Sequence, residues 1–298
     1  MTLASLANPI VHHPFNFGIG GFNLTGFGIA VLLAFLIAQI VSERELARRG
    51  RDAEAAAVGD VLFAALAGTL IGAKLYYVLV VTHDWRDLWS RGGFVFWGGF
   101  IGSVVLCAAT IRYKKLSFVR FADVAGIAIA AGYAVGRTGC WAVGDDYGKP
   151  YTGPFSVVFP QGAPPSYARD LVSQFHISLA PGTSPDALIS VVPTQLIEVV
   201  LGFAIFAILW RLRDHDHAEG WLFGVWAVLA GIERFIVEFF RAKDDRFALF
   251  GGLSTAQIIS IAIVIVGIVI MRLRAETGPE RPGIREVSAV PIPSSASS

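Results

Sequence analysis

Apolar residues in this chain gather in long runs, and short charged segments separate them. A helix needs about 20 predominantly apolar residues to cross a bilayer, so these runs predict membrane spans. Seven are predicted, at about Phe22–Val41, Ala57–Val81, Phe94–Ile111, Phe121–Gly136, Pro193–Trp210, Trp221–Phe240 and Ser254–Met271. The stretch from about Pro150 to Val192 is polar, holds half of the prolines and contains the β-like run PFSVVFP. It is expected to be a small extracytoplasmic cap built from short strands. Residues 1–274 then form one transmembrane domain. Residues 275–298, rich in Pro and Ser, form a disordered cytoplasmic tail. The fold class is an all-α polytopic membrane protein with about seven transmembrane helices and a cap between the fourth and fifth.

Composition agrees with the pattern. Hydrophobic residues make up 54% and charged residues only 16%, against about 25% charged in a soluble domain. A net charge of +1 with no basic tract gives no reason to expect a nucleic-acid partner. Cys107 and Cys140 are the two cysteines, and they have no ligand spacing, so neither a metal nor a disulfide framework is expected. No Lys or Arg precedes Arg44, so the start lacks the basic segment of a signal peptide. If seven spans start from outside, fourteen Lys and Arg residues fall on the inner side and eight on the outer. That bias places the N-terminus outside and the C-terminus in the cytoplasm.

The polar residues that interrupt the runs carry the chemistry. Gly136–Pro150 reads GRTGCWAVGDDYGKP and is expected to be a charged, glycine-rich elbow holding Arg137, Asp145, Asp146 and Lys149. An arginine at bilayer depth costs about 2.5–3.5 kcal/mol on insertion scales, so it is normally paired or functional unless it snorkels to the headgroups. In GIERFIVEFFR, Arg234, Glu238 and Arg241 fall at i, i+4 and i+7, one face of a helix. A purely structural Arg234–Glu238 salt bridge would explain that spacing by itself. PTQLIE places Gln195 and Glu198 one turn apart, and STAQIIS offers Ser254 as an N-cap beside Gln257. Lys74 lies inside the second span. On the deduced topology Arg137, Glu198, Arg234, Glu238 and Gln257 lie toward the outer leaflet, where a polar cavity with two arginines suits a phosphate and so a phospholipid. No P-loop, calcium-loop or Ser-His-Asp pattern occurs, and no histidine falls in a span.

Six segments in order, GAKLYYV, GGFVFWGGFIG, GRTGCWAVGDDYGKP, PTQLIE, RFIVEFFR and STAQIIS, resemble the prolipoprotein diacylglyceryl transferase family of bacterial inner membranes. The resemblance implies seven spans and no cofactor. It also implies transfer of the diacylglyceryl group of phosphatidylglycerol to the lipobox cysteine thiol of a preprolipoprotein, with release of glycerol phosphate. Phosphatidylglycerol, preprolipoprotein signal peptides and membrane lipid are the implied partners. Arg234, Glu238 and Asp145 are the implied catalytic residues. Arg137, Lys74, Trp97, Gly98, Gly99, Gln195, Glu198, Arg241 and Gln257 are the implied substrate-binding residues. The chain also departs from the family. Trp97 stands where the best-known members have a histidine, Cys140 replaces a frequent asparagine, Thr25 a tyrosine, and Val192 and Ile197 a His and a Tyr. An in-membrane histidine base therefore does not carry over. The departures leave open a weakened homologue that binds phosphatidylglycerol or lipoprotein precursors without turnover. A transporter would call for inverted repeats, which the sequence lacks.

Overall fold

A computed structural model describes residues 9–19, 22–90, 93–242, 246–247 and 252–276. Nearly all of the tail expected to be disordered lies outside them. The chain forms two compact units, one of Met1–Val41 with Val119–Glu276, the other centred on Ser42–Phe118.

The first unit begins with β1 (Ile10–Val11) and an antiparallel hairpin of β2 (Asn16–Ile19) and β3 (Phe22–Thr25), in register Asn16 to Thr25. The first long helix, α1 (Gly26–Arg48), therefore starts later than the hydropathy predicts, because Phe22–Thr25 is used for strand pairing. Next in this unit is α4 (Phe118–Val143). The elbow expected at Gly136 is helix as far as Val143. Its glycines serve packing, since a Cβ on Gly139 would come 2.8 Å from Ala30 Cβ on α1 and 3.1 Å from Phe27 Cα. The chain turns at Gly144, whose φ of +69° lies in the left-handed region where glycine is at ease.

Between α4 and α6 (Thr194–Leu212) the structure holds more helix than expected. β4 (Val157–Val158) is two residues long and pairs in parallel with β1. The amphipathic α5 (Ala168–Phe175) turns Ala168 and Leu171 inward. Tyr147, Val157, Phe159, Leu171, Val191 and Ala242 form its core. Strand pairing is short here because the prolines withhold donors.

α7 (Trp221–Val237) and α8 (Thr255–Leu273) pack closely through Gly224 and Gly267, and through Gly231 against Ser260 and Val264. The sixth span thus ends at Val237, three residues short of the predicted Phe240. Asp123 on α4 is fully buried and accepts a hydrogen bond from Phe223 N, capping the first turn of α7 from a neighbouring helix. Ser254 caps α8 as predicted, in a reciprocal box with Gln257, next to the strand pair β5 (Arg246–Phe247) and β6 (Leu253–Ser254). Ile127, Ala130, Ile205, Leu209, Leu222 and Val225 bind α4, α6 and α7 into one apolar core.

The second unit takes in the end of α1, where the predicted loop SERELAR is helical. Glu45 is buried there and accepts from both Arg48 and Arg49, so its own charge is paired locally. Then come α2 (Asp52–Tyr76), a π-helical turn (Tyr77–Thr82), a 3₁₀ turn (Trp85–Trp89) and α3 (Phe96–Tyr113). Gly68 and Gly72 on α2 meet Gly102 and Gly98 on α3 backbone to backbone. Small residues allow this approach between apolar helices, where packing replaces the hydrophobic effect.

Six described helices are long and apolar enough to cross a membrane: α1, α2 with its π turn, α3, α4, α6 and α8. At 17 residues, α7 is one residue shorter than the shortest of these and lies at the lower edge of spanning length.

The α2–α3 seam gives a direct test. A Cβ at Gly72 would collide with Gly98 O, whereas one at Gly28 would meet nothing nearer than 3.6 Å. Gly72→Val is expected to destabilise by about 1–3 kcal/mol, and Gly28→Ala to change little. Thermal unfolding of the purified protein in detergent measures both.

Candidate functional site

On α4, Tyr133, Arg137 and Cys140 are spaced i, i+4 and i+7 and share one helix face. Arg137 is the hub. Its Nη2 donates to Glu198 Oε1 at 2.6 Å and its Nη1 to Asp146 Oδ2 at 2.8 Å. Nη1 also lies 3.3 Å from Cys140 Sγ, and Nε donates to the Tyr133 hydroxyl at 3.3 Å. Glu198 comes from the first turns of α6 and is fully buried.

Asp146 joins the second arginine. Its Oδ1 accepts from Arg241 Nη2 at 2.6 Å. Arg241 lies beyond the end of α7, so it does not share the helical face with Arg234 and Glu238 that the sequence spacing predicts. A backbone bridge between Gly148 and Arg241 brings it in, alongside Lys149 N donating to Phe240 O. Gly148 suits this place because a Cβ there would strike Phe240 O and come 2.8 Å from Val192 Cβ. Glu238 then links the third arginine, with Oε2 2.6 Å from Arg234 Nη2 and 3.9 Å from Arg241 Nε. One network thus runs Arg137–Asp146–Arg241–Glu238–Arg234, with Glu198 closing between Arg137 and, at 3.8 Å, Arg241.

The start of α6 fixes the 145–146 loop. Gln195 Nε2 donates to Asp145 O at 2.5 Å, and Thr194 Oγ1 donates to Asp146 O at 2.8 Å. The two aspartates differ in kind. Burial alone would raise Asp146, but Arg241 and Arg137 hold it down at about 2. Burial and the Asp146 charge push Asp145 up to about 6. Asp146 is thus the carboxylate that holds Arg137, and Asp145 is the one that titrates nearer neutrality.

Several buried atoms have no hydrogen-bond partner among the described residues. Arg234 Nη1, Arg241 Nε and Gln257 Nε2 are donors of this kind, and Asp145 Oδ1 and Glu198 Oε2 are acceptors. Such groups normally find partners. Cys140, Asp145 and Asp146 lie close enough together to resemble a metal-binding group. Both oxygens of Asp146 are taken by guanidinium groups, so a cation there would face two fixed positive charges.

Five of the residues picked out from sequence thus meet in one network, Arg137, Glu198, Arg234, Glu238 and Arg241, and Gln195 and Asp145 border it. Gln257 spends its Oε1 on the α8 cap. Lys74, Trp97, Gly98 and Gly99 belong to the other unit. Lys74 Nζ donates to Ser90 O and Oγ at 2.7 and 2.9 Å. Trp97 is 42% exposed and edge-on to Phe96. Gly98 and Gly99 pack against α2. The sequence reasoning passed over Tyr133, Asp146 as the shared acceptor, and Glu233, whose Oε1 lies 3.3 Å from the Tyr133 hydroxyl. The i, i+4 spacing of Tyr133 to Arg137 was the available signal.

An arginine-rich ion-pair network set among long apolar helices defines a polytopic membrane protein with a buried polar site. The chain belongs to the prolipoprotein diacylglyceryl transferase family, whose model matches residues 14–273. It is similar to proteins named phosphatidylglycerol–prolipoprotein diacylglyceryl transferase from three bacteria. With that of Geobacter sulfurreducens it is 28% identical over 278 residues, covering 89% of this chain and 97% of the relative. With that of Proteus mirabilis it is 31% identical over 270 residues, covering 87% and 90%. With that of Xanthomonas oryzae it is 28% identical over 272 residues, again covering 87% and 90%.

The raised Asp145 gives a signed expectation. An aspartate ionises near 3.9 in an unfolded chain and at about 6 here, so its ionisation opposes folding. That cost builds between about pH 4 and 6 and stays constant above. Asp145→Asn lacks the cost. Its melting temperature should match the wild type below about pH 4 and exceed it above about pH 6, as measured by thermal melts across pH.

Proposed function

We propose that this protein transfers the diacylglyceryl group of phosphatidylglycerol to the lipobox cysteine thiol of preprolipoproteins and releases glycerol phosphate. The observation that carries this is the convergence of Arg137, Arg234 and Arg241 in one network with buried donors left without acceptors. Guanidinium groups fit phosphate oxygens in a bidentate way. The family membership and the names of the relatives support the substrate class.

In this reading α7 also crosses the bilayer, as the sixth of seven spans of a bacterial cytoplasmic-membrane protein. The N-terminus and the α4–α6 segment lie outside, and the C-terminus is cytoplasmic. The thiol sulfur attacks the glycerol carbon that carries the phosphate ester. The carbon–oxygen bond breaks, and the electron pair leaves with the phosphate. Arg137 and Arg234 meet the charge that develops there, while Asp146 and Glu238 hold them in position before the reaction begins. Asp145, with its elevated pKa of about 6, takes the thiol proton. Lys74, Trp97, Gln195 and Gln257 are the further contacts for lipid or signal peptide, while Gly98 and Gly99 are covered by α2 and leave that set.

Arg137→Ala and Arg234→Ala are each expected to lower transfer about 10²–10³-fold, the scale of losing one preorganised donor. Labelled phosphatidylglycerol and a lipobox peptide, with thioether product as readout, measure this. Full activity in both variants would sink the assignment. A wild-type protein that binds lipid yet makes no thioether would instead be the binder without turnover. Rescue of a bacterial strain depleted of its own transferase tests the same point in cells.

A further inference from the structure

Glu233 is 7% exposed on α7, and among the described residues no arginine or lysine pairs with it. Its hydrogen-bond partner is the Tyr133 hydroxyl, at 3.3 Å from Glu233 Oε1. The same hydroxyl lies 3.1 Å from Glu198 Oε1 and accepts from Arg137 Nε at 3.3 Å. A phenol carries one proton and can donate it once. Two carboxylates facing one hydroxyl therefore share too few protons, and an unpartnered buried charge is costly. Glu198 already has two guanidinium partners, since Arg137 Nη2 donates to it at 2.6 Å and Arg241 Nη1 lies 3.8 Å away. The missing proton then belongs on Glu233. With it in place the bonds run in one direction: Glu233 O–H to the Tyr133 oxygen, and Tyr133 O–H to Glu198.

Charge counting leads to the same place. Within the ion-pair network Asp146, Glu198 and Glu238 balance Arg137, Arg234 and Arg241, and Asp145 beside it adds one negative charge above about pH 6. An ionised Glu233 would add a second and repel an anion in a poorly screened site. We propose that Glu233 is held as the neutral acid, and that its proton sets the charge of the site so that a singly charged phosphate diester is admitted. The proposal rests on the phosphatidylglycerol reading above and adds its anion-selecting residue. The groups that face Glu233 are Tyr133 and Arg137 from α4, Glu198 from α6 and Arg234 from α7 itself. α8 packs on α7 through Ser260 near Gly231 and carries no charged residue before Arg272.

Two measurements on the purified full-length protein in phosphatidylcholine nanodiscs test it. Infrared spectra at neutral pH should show the carbonyl band of a protonated carboxylic acid in the wild type and in Asp145→Asn. Glu233→Gln should lack that band, and Tyr133→Phe should shift it. Binding of dioleoyl phosphatidylglycerol should weaken about tenfold from neutral to alkaline pH in the wild type, the scale of one partly screened charge nearby. Glu233→Gln, an isostere of the neutral acid, should keep its neutral-pH affinity throughout. A band that survives in Glu233→Gln, or an unchanged pH dependence in that variant, overturns the proposal and leaves the lipid reading intact. A folded wild type that binds phosphatidylglycerol at no pH overturns both.

Discussion

The structure around the site depends on one carboxylate that accepts from two arginines. Asp146 takes Arg137 from α4 on one oxygen and Arg241 from beyond α7 on the other. Neither arginine could lie among apolar helices without an anion, since a charge in that setting must be paired. The surrounding backbone serves this contact. Gly144 ends α4 sharply, Gly148 lets the chain lie against Phe240, and Thr194 and Gln195 hold the loop from the start of α6. Breaking a buried pair usually costs more than replacing it with apolar groups. The network therefore reflects a demand for positioned charge, which apolar packing would not supply.

Positioned charge is what transfer from a phosphodiester needs. The leaving phosphate gains charge as the carbon–oxygen bond breaks, and groups already aligned there reorganise little during the reaction. Carboxylates that hold arginines reduce the net field, but they fix the guanidinium planes. Arg234 shows both effects: Nη2 is tied to Glu238, while Nη1 is buried without an acceptor.

Hydropathy made the long helices legible, because length and apolarity are all that a bilayer asks of a span. Their ends were less legible, since they depend on contacts. Glu45 accepts from both Arg48 and Arg49, and the charged SERELAR segment is helical. Gly139 read as part of an elbow, yet its small size serves the approach of α1. In the site, Arg137, Arg234 and Glu238 could be read from charge in apolar runs and from i, i+4 spacing. Arg241 was picked out for the wrong geometry, because its bridge to Gly148 joins segments far apart in sequence. Tyr133 and Glu233 each look ordinary on their own helix. Only the packing of α4 and α7 brings them within hydrogen-bond reach of each other.

The family resemblance puts Trp97 where a histidine base is expected, and magnitudes decide how much that matters to the proposed reaction. A thiol with pKa near 8.5 is about 3% ionised at pH 7. Relying on that fraction alone costs about 2 kcal/mol, at 1.36 kcal/mol per pKa unit. Losing one oriented donor to the developing charge costs about 2.7–4 kcal/mol in acyl-transfer enzymes. The missing histidine thus weighs less than either arginine. Asp145 sits beside the network with a pKa of about 6, so it can recover part of even that smaller sum. A site that keeps its arginines and their carboxylate holders keeps the larger share of the catalytic power, whichever group receives the proton.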